Sequence, residues 1–358
     1  MRIGLFGFPG TGKTTLFGLL TGAEPQANAV RNEGQIGTAR VPEPRLERLA
    51  ALYRPRKVTP ATVEYIDLAG VEKGEAAKVL PLERLRTVDA LAHVVRAFDD
   101  EAVPHVEGSI DPARDAATME TELILADHSV AERRIEKLES QVLKTRRDED
   151  VRELELIRRV LSTLEQEIPL RNADFSPREM LSLRGYTFLS LKPLLLIVNA
   201  GEDDVARLDG GAAAYGLERM NQRPQTEVVT LSAKIEAEIA KLDDEDAAGF
   251  REDLGIEEPA LDRVIRASYA LLGKISFFTV GEDECRAWTI RITTPARSAA
   301  GVIHSDIERG FIRAEVVAYD DLIDAGSWSA SRERGAVRLE GKDYLIQDGD
   351  IADFRFNV

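Results

Sequence analysis

Cysteine is nearly absent from this chain: Cys285 is the only one among 358 residues. A single cysteine excludes a disulfide within the chain and fits a reducing compartment, so we expect a cytoplasmic protein. With only four histidines to accompany it, the sequence has no zinc-ligand spacing. The acidic residues 282–284 directly before Cys285 disfavour a thiolate, so we interpret this cysteine as chemically inert.

Long hydrophobic runs are missing too. The apolar run 193–198 is far shorter than the roughly 20 residues that a membrane-spanning helix needs. The chain opens on an apolar strand pattern, without the basic and then apolar segment that marks an export signal. We therefore expect no export signal and no membrane partner.

Positive charge is in deficit. The chain carries 47 Lys and Arg against 63 Asp and Glu, a formal net charge of −16. This balance argues against nucleic-acid binding over the whole surface, and we expect no DNA specificity, although a local basic patch can still dock on RNA. A length of 358 residues, with 44% hydrophobic and 31% charged residues, is typical of a soluble globular protein with two or three domains.

The most informative segment that is present runs from Gly7 to Thr14 and reads Gly-Phe-Pro-Gly-Thr-Gly-Lys-Thr. It fits the phosphate-loop (P-loop) pattern G-x-x-x-x-G-K-[ST] and stands between an apolar run, 3–6, and an amphipathic stretch, 15–20. This order of strand, glycine-rich turn and helix predicts a cradle of backbone N–H groups for a nucleoside triphosphate. We predict that Lys13 reaches the β- and γ-phosphates and that the Thr14 hydroxyl binds Mg²⁺. The residues expected to contact the nucleotide here are Phe8, Pro9, Gly10, Thr11, Gly12, Lys13, Thr14 and Thr15.

A second motif, Asp67-Leu68-Ala69-Gly70, ends the apolar run 63–66 and matches D-x-x-G. In GTPase-like folds this tetrapeptide supplies an acidic partner for Mg²⁺ and a sensor for the γ-phosphate. We predict that Asp67 supports the metal, usually through water, and that the Gly70 N–H meets the γ-phosphate. Val71 follows, where Ras-like enzymes carry a glutamine that orients the attacking water. Hydrolysis must therefore use another group, or stay slow until a partner completes the site.

The segment expected to read the base departs from the usual pattern. Asn199-Ala200-Gly201-Glu202 follows the apolar run 194–198, at the place of an N-K-x-D motif. The aspartate of that motif accepts two hydrogen bonds from guanine, and adenine offers no such pair of donors. Glu202 is one methylene longer, which misplaces the carboxylate, so the sequence favours ATP and keeps GTP as the alternative. Asn199 can contact N7 of either purine, and Ala200 frames the base.

A tripeptide after the next apolar run completes the predicted base site. Ser232-Ala233-Lys234 follows the run 228–231 and matches the S-A-K loop that backs the base in this fold. We therefore expect Ser232 and Ala233 to lie beside the base. The alternative for this loop, as for Asn199 and Glu202, is an ordinary turn from strand to helix.

The apolar runs predict an α/β fold with a mostly parallel sheet. Five of them are typical of buried strands: 3–6, 63–66, 91–95, 194–198 and 228–231. They predict a nucleotide-binding domain built from residues 1–117 and 184–273 and closed by a helix over 261–272. Short β-rich runs at 276–280, 287–292, 313–317, 344–346 and 351–356, separated by glycine and aspartate turns, predict a small α+β domain over 274–358.

A mostly helical insertion, 118–183, separates the two parts of the nucleotide-binding domain. Apolar residues at helical spacing predict a first helix around Leu138 and a second around Ile157, and the charged patch 146–150 between them predicts a turn. We expect an antiparallel helical hairpin, or short coiled coil, that projects as an arm, because helices covering a sheet need a wider apolar stripe. The alternative is that both helices lie flat on the sheet.

In this order, the motifs resemble those of the YchF / Obg-like ATPase family of P-loop proteins, in the translation-factor-related (TRAFAC) GTPase class. The resemblance rests on the P-loop, D-x-x-G, N-x-x-E, the helical insertion and the C-terminal segments, and it covers essentially the whole chain. The segments similar to the family's C-terminal TGS domain, which has a ubiquitin-like fold, are 277–279, 286–290, 300–306, 310–315, 339–344, 347–350 and 354–358.

The resemblance implies a ribosome-associated enzyme that hydrolyses ATP in preference to GTP with Mg²⁺ and binds the large ribosomal subunit and its rRNA. It also implies that a histidine in a mobile loop after the third strand takes part in hydrolysis, and the matching residue is His105. Near neutral pH a histidine can donate, accept or carry a proton, which suits the positioning of a water molecule. An ordinary surface-loop histidine is the alternative.

Several positions depart from the family pattern. The P-loop reads Gly-Thr-Gly-Lys-Thr over 10–14 instead of N-V-G-K-S, and Arg31 stands where members carry a threonine that joins the magnesium shell. Val30 replaces a cysteine tied to redox control, and the second switch is shortened to 71–78. Because these changes lie around the γ-phosphate sensor, we predict that nucleotide binding survives better than turnover. The alternative function is a nucleotide-sensing adaptor on the ribosome with little turnover.

Overall fold

The computed structural model describes residues 1–24, 34–68, 80–145, 147–256 and 258–357. The chain divides into two compact units, Met1–Ala39 with Glu64–Leu271, and Arg40–Val63 with Leu272–Val358. The sequence patterns place a boundary near residue 273, and they do not predict that the segment 40–63 groups with the C-terminal unit.

The first unit alternates strands and helices. Its strands are β1 (Arg2–Phe6), β2 (Gln35–Arg40), β4 (Thr62–Asp67), β5 (Ala90–Ala97), β6 (Leu194–Ala200) and β7 (Thr226–Leu231). Its helices are α1 (Lys13–Thr21), α3 (Leu80–Leu85), α4 (Pro112–Thr145), α5 (Asp148–Glu165), α6 (Pro177–Leu183), α7 (Val205–Leu208), α8 (Gly211–Ala214), α9 (Glu218–Asn221), α10 (Ala233–Ile239), α11 (Asp244–Asp253) and α12 (Ala260–Leu271).

One six-stranded sheet organises this unit, in the order β2-β4-β1-β5-β6-β7. β1 pairs in parallel with β4 and β5, and β5, β6 and β7 continue the parallel ladder. β5 and β6 are buried along their whole length, which explains why they read as unbroken apolar runs. The five predicted strands are confirmed, whereas β2 was missed because its residues, QIGTAR, carry little apolar signal.

The predicted helical hairpin is present as α4 and α5. The first part of α4 packs on the sheet through Met119 and Leu123, and its later part packs on α5, with Leu138 and Ile157 in a separate buried cluster. Of the predicted turn over 146–150, residues 148–150 are already helical because α5 begins at Asp148, and residue 146 lies outside the described residues. Three acidic residues in its first turn favour this early start, since they complement the positive end of the helix dipole.

The second unit is an α+β arrangement around another six-stranded sheet. Its strands are β3 (Lys57–Thr59), β8 (Lys274–Thr279), β9 (Glu284–Arg291), β10 (Phe311–Val317), β11 (Arg338–Glu340) and β12 (Ile351–Phe356). Its helices are α2 (Pro44–Tyr53), α13 (Ala296–Ile303), α14 (Ser305–Arg309), α15 (Tyr319–Ala325) and α16 (Trp328–Glu333). The sheet order is β11-β10-β12-β8-β9-β3. The segment 40–63 belongs here because β3 pairs in parallel with β9.

One predicted strand of this unit is wrong. Within 344–346 the chain makes a single bridge, between Leu345 and Pro295, and no ladder. The turns on both sides leave too few residues to extend this bridge into a strand. In the part of the chain that the structure describes, no helix has both the length and the apolar character needed to cross a bilayer.

Candidate functional site

The P-loop joins β1 to α1, and its three glycines stand where other residues do not fit. Gly10 (φ 74°) and Gly12 (φ 88°) adopt left-handed backbone, and Gly12 caps the start of α1. Gly7 lies so close to β5 that a Cβ atom would come within 2.4 Å of the Val94 carbonyl oxygen. The strand–turn–helix context predicted from the motif is therefore present.

Lys13 is folded back onto the loop. Its side chain is buried, and Nζ donates to the Phe8 carbonyl oxygen at 2.6 Å, which also accepts from Thr11 Oγ1 at 3.1 Å. Burial lowers the pKa of Lys13 to about 8, and the charge of Asp67 partly opposes this shift. The Phe8 ring belongs to the hydrophobic core, so only its main chain faces the loop, whereas Pro9 is exposed.

Thr14 and Asp67, predicted from separate motifs to support one metal ion, are hydrogen-bonded to each other. Thr14 Oγ1 donates to Asp67 Oδ2 at 2.8 Å, and both Thr14 and Thr15 are exposed. Burial raises the pKa of Asp67, while the bond from Thr14 and the charge of Lys13 partly offset that effect. The other carboxylate oxygen, Oδ1, is buried and has no hydrogen-bond partner among the described residues.

This pair fits a magnesium site of the kind found beside phosphates. Mg²⁺ prefers oxygen ligands, and such sites use one or two protein groups and complete the shell with phosphate oxygens and water. The orphaned Oδ1 of Asp67 is a buried acceptor that such a shell would satisfy. The described residues contain no cluster of three or more His, Cys, Asp and Glu side chains, so no all-protein metal cage stands elsewhere in that part of the chain.

Asn199, predicted to contact the base, connects the two loops of the nucleotide site. Its Nδ2 donates to the Thr11 carbonyl oxygen at 3.0 Å, and its Oδ1 accepts from the Ala233 N–H at 2.9 Å. The side chain is buried, and a Cβ atom on Gly12 would lie 2.4 Å from its Nδ2. Asn199 thus holds the P-loop against the S-A-K loop, and its amide has a second N–H for which a purine N7 is a suitable acceptor.

The remaining predicted base-site residues lie at the ends of β6 and β7. Ala200 is the buried last residue of β6, and Ser232 is buried, with an Oγ that has no hydrogen-bond partner among the described residues. The Glu202 carboxylate accepts from Lys234 Nζ at 2.6 Å, which joins the N-x-x-E segment to the S-A-K loop. Gly70 lies outside the described residues, as do Val30, Arg31, Val71 and the segment 71–78.

His105 lies in the loop between β5 and α4 and is engaged on both ring nitrogens. Nδ1 accepts the Glu107 N–H at 3.1 Å, and Nε2 lies 2.9 Å from Asp115 Oδ2 on α4. The second contact is a close charge contact and not a hydrogen bond, because Asp115 Oδ2 has no hydrogen-bond partner among the described residues. The His105 side chain is almost fully buried. Both ring nitrogens thus lie within 3.1 Å of protein atoms, so the hydrolytic role predicted for His105 requires its side chain to leave these contacts.

Two buried polar residues next to the P-loop were missed from the sequence. His93 stacks on Phe6 with ring centroids 4.8 Å apart, and burial lowers the pKa of its imidazole to about 3, which keeps it neutral. Arg96 is one of the largest fully buried side chains of the protein. Both residues stand in the otherwise apolar strand β5. A polar residue inside such a run is a sequence signal that its side chain contacts the adjoining loops.

Family models match both ends of the chain. A model described as "50S ribosome-binding GTPase" matches residues 2–151. A second model, for the C-terminal part of YchF GTPases and described as "Protein of unknown function (DUF933)", matches residues 274–357. The first match includes the P-loop and strands β1, β2, β4 and β5 of the first unit. The second match covers the C-terminal part of the second unit.

Curated relatives match over their full length. The "Ribosome-binding ATPase YchF" of Bacillus subtilis (strain 168) is 42% identical over 366 residues and covers 100% of both chains. The protein of the same name from Haemophilus ducreyi is 43% identical over 367 residues, which covers 100% of this chain and 99% of the relative. The solved structure of the Schizosaccharomyces pombe YchF GTPase matches with a TM-score of 0.85 at 29% identity, over 99% of this chain and 97% of the other.

Proposed function

Because the chain belongs to the YchF family, we propose that it is a Mg²⁺-dependent ATPase that binds the ribosome. The observation that carries the proposal is the meeting of Lys13, Thr14 and Asp67 at the carboxyl ends of β1 and β4. An ammonium, a hydroxyl and a carboxylate at the mouth of a glycine-rich loop are the groups that a metal-bound triphosphate needs.

Each residue of the P-loop has a distinct part in binding. The left-handed turns at Gly10 and Gly12 direct main-chain N–H groups toward the phosphates, and Pro9, which has no N–H, shapes the turn. Lys13 exchanges the Phe8 carbonyl for the β- and γ-phosphate oxygens, a stronger, charge-assisted partner. Thr14 and Asp67 would hold Mg²⁺, which would neutralise phosphate charge.

Hydrolysis then depends on placing a water molecule. His105 is the residue proposed to position it, and Gly70 is proposed to contact the γ-phosphate through its N–H. For this role His105 has to leave Asp115 and the Glu107 N–H, which gives the enzyme a resting state with slow turnover. Catalysis by placement and charge neutralisation is typical of this class of reaction.

ATP is proposed as the preferred substrate. One oxygen of the Glu202 carboxylate already accepts from Lys234 at 2.6 Å, and the extra methylene misplaces the other oxygen for the guanine N1–H and N2–H₂ groups. We expect the wild type to bind ATP about tenfold more tightly than GTP, which corresponds to roughly one hydrogen bond. Isothermal titration with ATP, GTP and their diphosphates in Mg²⁺ measures this difference.

The Glu202→Asp variant is the matched test of the same argument. The shorter side chain withdraws from Lys234 and stands at the length used by N-K-x-D, so we expect its preference for ATP over GTP to shrink severalfold. A strong preference for GTP in the wild type would contradict the role given to Glu202 and support the GTPase alternative.

We propose the large ribosomal subunit and its rRNA as partners, and the cytoplasm as the place of action. The second candidate function is a nucleotide-sensing adaptor on the ribosome, and the observation that favours it is the engagement of both His105 nitrogens. Under the ATPase proposal, ribosomes are expected to raise the single-turnover hydrolysis rate at least tenfold, a change of about 1.4 kcal/mol in the barrier.

Single-turnover hydrolysis of ATP by the full chain, with and without purified ribosomes, separates the two functions. A rate near the uncatalysed level that ribosomes leave unchanged, together with ATP-dependent co-sedimentation, would support the adaptor. Absence of co-sedimentation in every nucleotide state would count against both.

A further inference from the structure

The guanidinium of Arg96 is buried at the carboxyl end of β5, beside the P-loop. The residue is 1% exposed, and its three nitrogens bind three carbonyl oxygens of the segment that follows. Nε donates to Phe98 at 3.0 Å, Nη1 to Val103 at 2.7 Å and Nη2 to Asp100 at 3.3 Å. The guanidinium carbon also lies 4.6 Å from the centroid of the Phe98 ring.

These acceptors set Arg96 apart from most buried cations. A buried charge is ordinarily paired with a carboxylate, because desolvation of a lone ion is costly. Among the described residues, the guanidinium of Arg96 donates its hydrogen bonds to main-chain carbonyl oxygens of one loop, 98–103. Its planar fork therefore fixes the path of that loop in a way that a single point charge cannot.

The loop fixed by Arg96 contacts the P-loop. A Cβ atom on Gly10 would come within 2.6 Å of Val103 Cγ1 and 3.7 Å from Arg96 Nη1. The phosphate-binding turn, the loop 98–103 and the guanidinium thus meet at one point. His105 follows Val103 by two residues, and its own contact with Asp115 holds the far end of the same loop.

We propose that Arg96 is a positioning residue for hydrolysis, which fixes the loop 98–103 against the P-loop and thereby sets the place from which His105 acts. The inference rests on the proposed ATPase function and adds to it a residue that does not touch the nucleotide. Its effect falls on turnover and not on ATP affinity, because the phosphates are held by the P-loop itself.

Two substitutions in the full chain test the proposal. Arg96→Gln removes the charge, and Arg96→Lys keeps the charge but lacks the fork that reaches three carbonyls. We expect both variants to hydrolyse ATP at least tenfold more slowly in single turnover with ribosomes, and to bind ATP within threefold of the wild type. Hydrogen exchange at Ala102 and Val103, whose N–H groups bond to Asp100, is expected to accelerate in both.

Arg171→Gln is the matched control. Arg171 is a buried arginine that, unlike Arg96, pairs with a carboxylate, that of Glu120. It also donates to the Ser190 carbonyl oxygen and to Thr226, at the opposite, amino-terminal end of β7. Its loss is expected to lower the unfolding midpoint without slowing hydrolysis. Comparison at equal folded fraction therefore separates positioning from general destabilisation.

Any one of three results overturns the proposal. They are a hydrolysis rate of Arg96→Lys equal to that of the wild type, a more than tenfold loss of ATP affinity in Arg96→Gln, and unchanged amide hydrogen exchange in the loop 98–103 of both variants. The first assigns the effect to charge alone, and the second makes Arg96 a phosphate-binding residue. A wild type that hydrolyses no ATP with ribosomes present contradicts the proposed function itself, whereas an active wild type with equally active Arg96 variants contradicts only the inference.

Discussion

Replacement of Lys13 by methionine is expected to weaken ATP binding at least 100-fold and to make the nucleotide-free protein more stable. The two effects have opposite signs because the ammonium is buried before any nucleotide arrives. Removing one partner of a buried, charge-assisted contact costs about 2–5 kcal/mol, which is roughly 30-fold or more in affinity. Because Lys13 is proposed to contact two phosphates, the larger loss is expected.

The stability gain follows from the lowered pKa. Burial moves the pKa of Lys13 from 10.5 to about 8, which corresponds to about 3 kcal/mol. The folded protein therefore holds the Lys13 proton less tightly than the unfolded chain does. The charge on Lys13 lowers the stability of the fold by its full amount below pH 8, and this effect disappears above pH 10.5. Methionine removes this cost at pH 7, but it also removes the hydrogen bond from Lys13 to the Phe8 carbonyl oxygen. That oxygen still accepts from Thr11 Oγ1, so about 1–2 kcal/mol of net stabilisation is expected.

Urea unfolding at pH 7 without nucleotide, together with titration of ATP in Mg²⁺, measures both effects. Lys192→Met is the control, since Lys192 is a partly buried lysine that also donates to main-chain carbonyls, of Arg86 at 3.1 Å and Val88 at 2.5 Å. Burial lowers the pKa of Lys192 as well, but this residue lies before the amino-terminal end of β6, away from the P-loop. ATP binding near the wild-type level in Lys13→Met would remove the basis of both proposed functions.

Replacement of Gly12 by alanine is expected to weaken ATP binding by about 30-fold or more and to destabilise the protein by roughly 2–4 kcal/mol. The new Cβ atom would lie 2.4 Å from Asn199 Nδ2, at a backbone φ of 88° that alanine adopts only with strain. The asparagine must then move, and it is the residue that holds Thr11 and Ala233 together. One methyl group thus disturbs the phosphate loop and the base loop at once.

Gly22→Ala supplies the comparison on the same helix. Gly22 ends α1 as Gly12 begins it, and its φ of 67° is also left-handed, but a Cβ atom there meets no atom of the described residues within 4 Å. We expect Gly22→Ala to cost about 1 kcal/mol in stability and to leave ATP affinity within twofold of the wild type. Thermal unfolding and ATP titration of both variants test the pair, and equal ATP affinities for the two would show that the Asn199 contact is unimportant.

Local patterns were sufficient to predict the phosphate end of the site. The glycines at 7, 10 and 12 are required by backbone geometry within a few residues of each other, and so the P-loop motif can be recognised in the sequence. Buried strands such as β5 and β6 can be recognised from the sequence equally well, because both of their faces must be apolar. The failures have local causes too: β2 carries little apolar signal, and the run 344–346 is cut short by turns.

The sequence by itself determined the triphosphate-binding turn, the parallel sheet behind it and the hairpin of α4 and α5, since these follow from residues within one or two elements. Only the tertiary structure decided that Asn199 braces Thr11 against Ala233, that His105 is held by Asp115, and that Arg96 fixes the loop beside Gly10. The physical reason is that parallel strands bring loops from distant parts of the chain to one edge of the sheet. Which side chains meet there depends on packing and burial, and these are properties of the assembled fold.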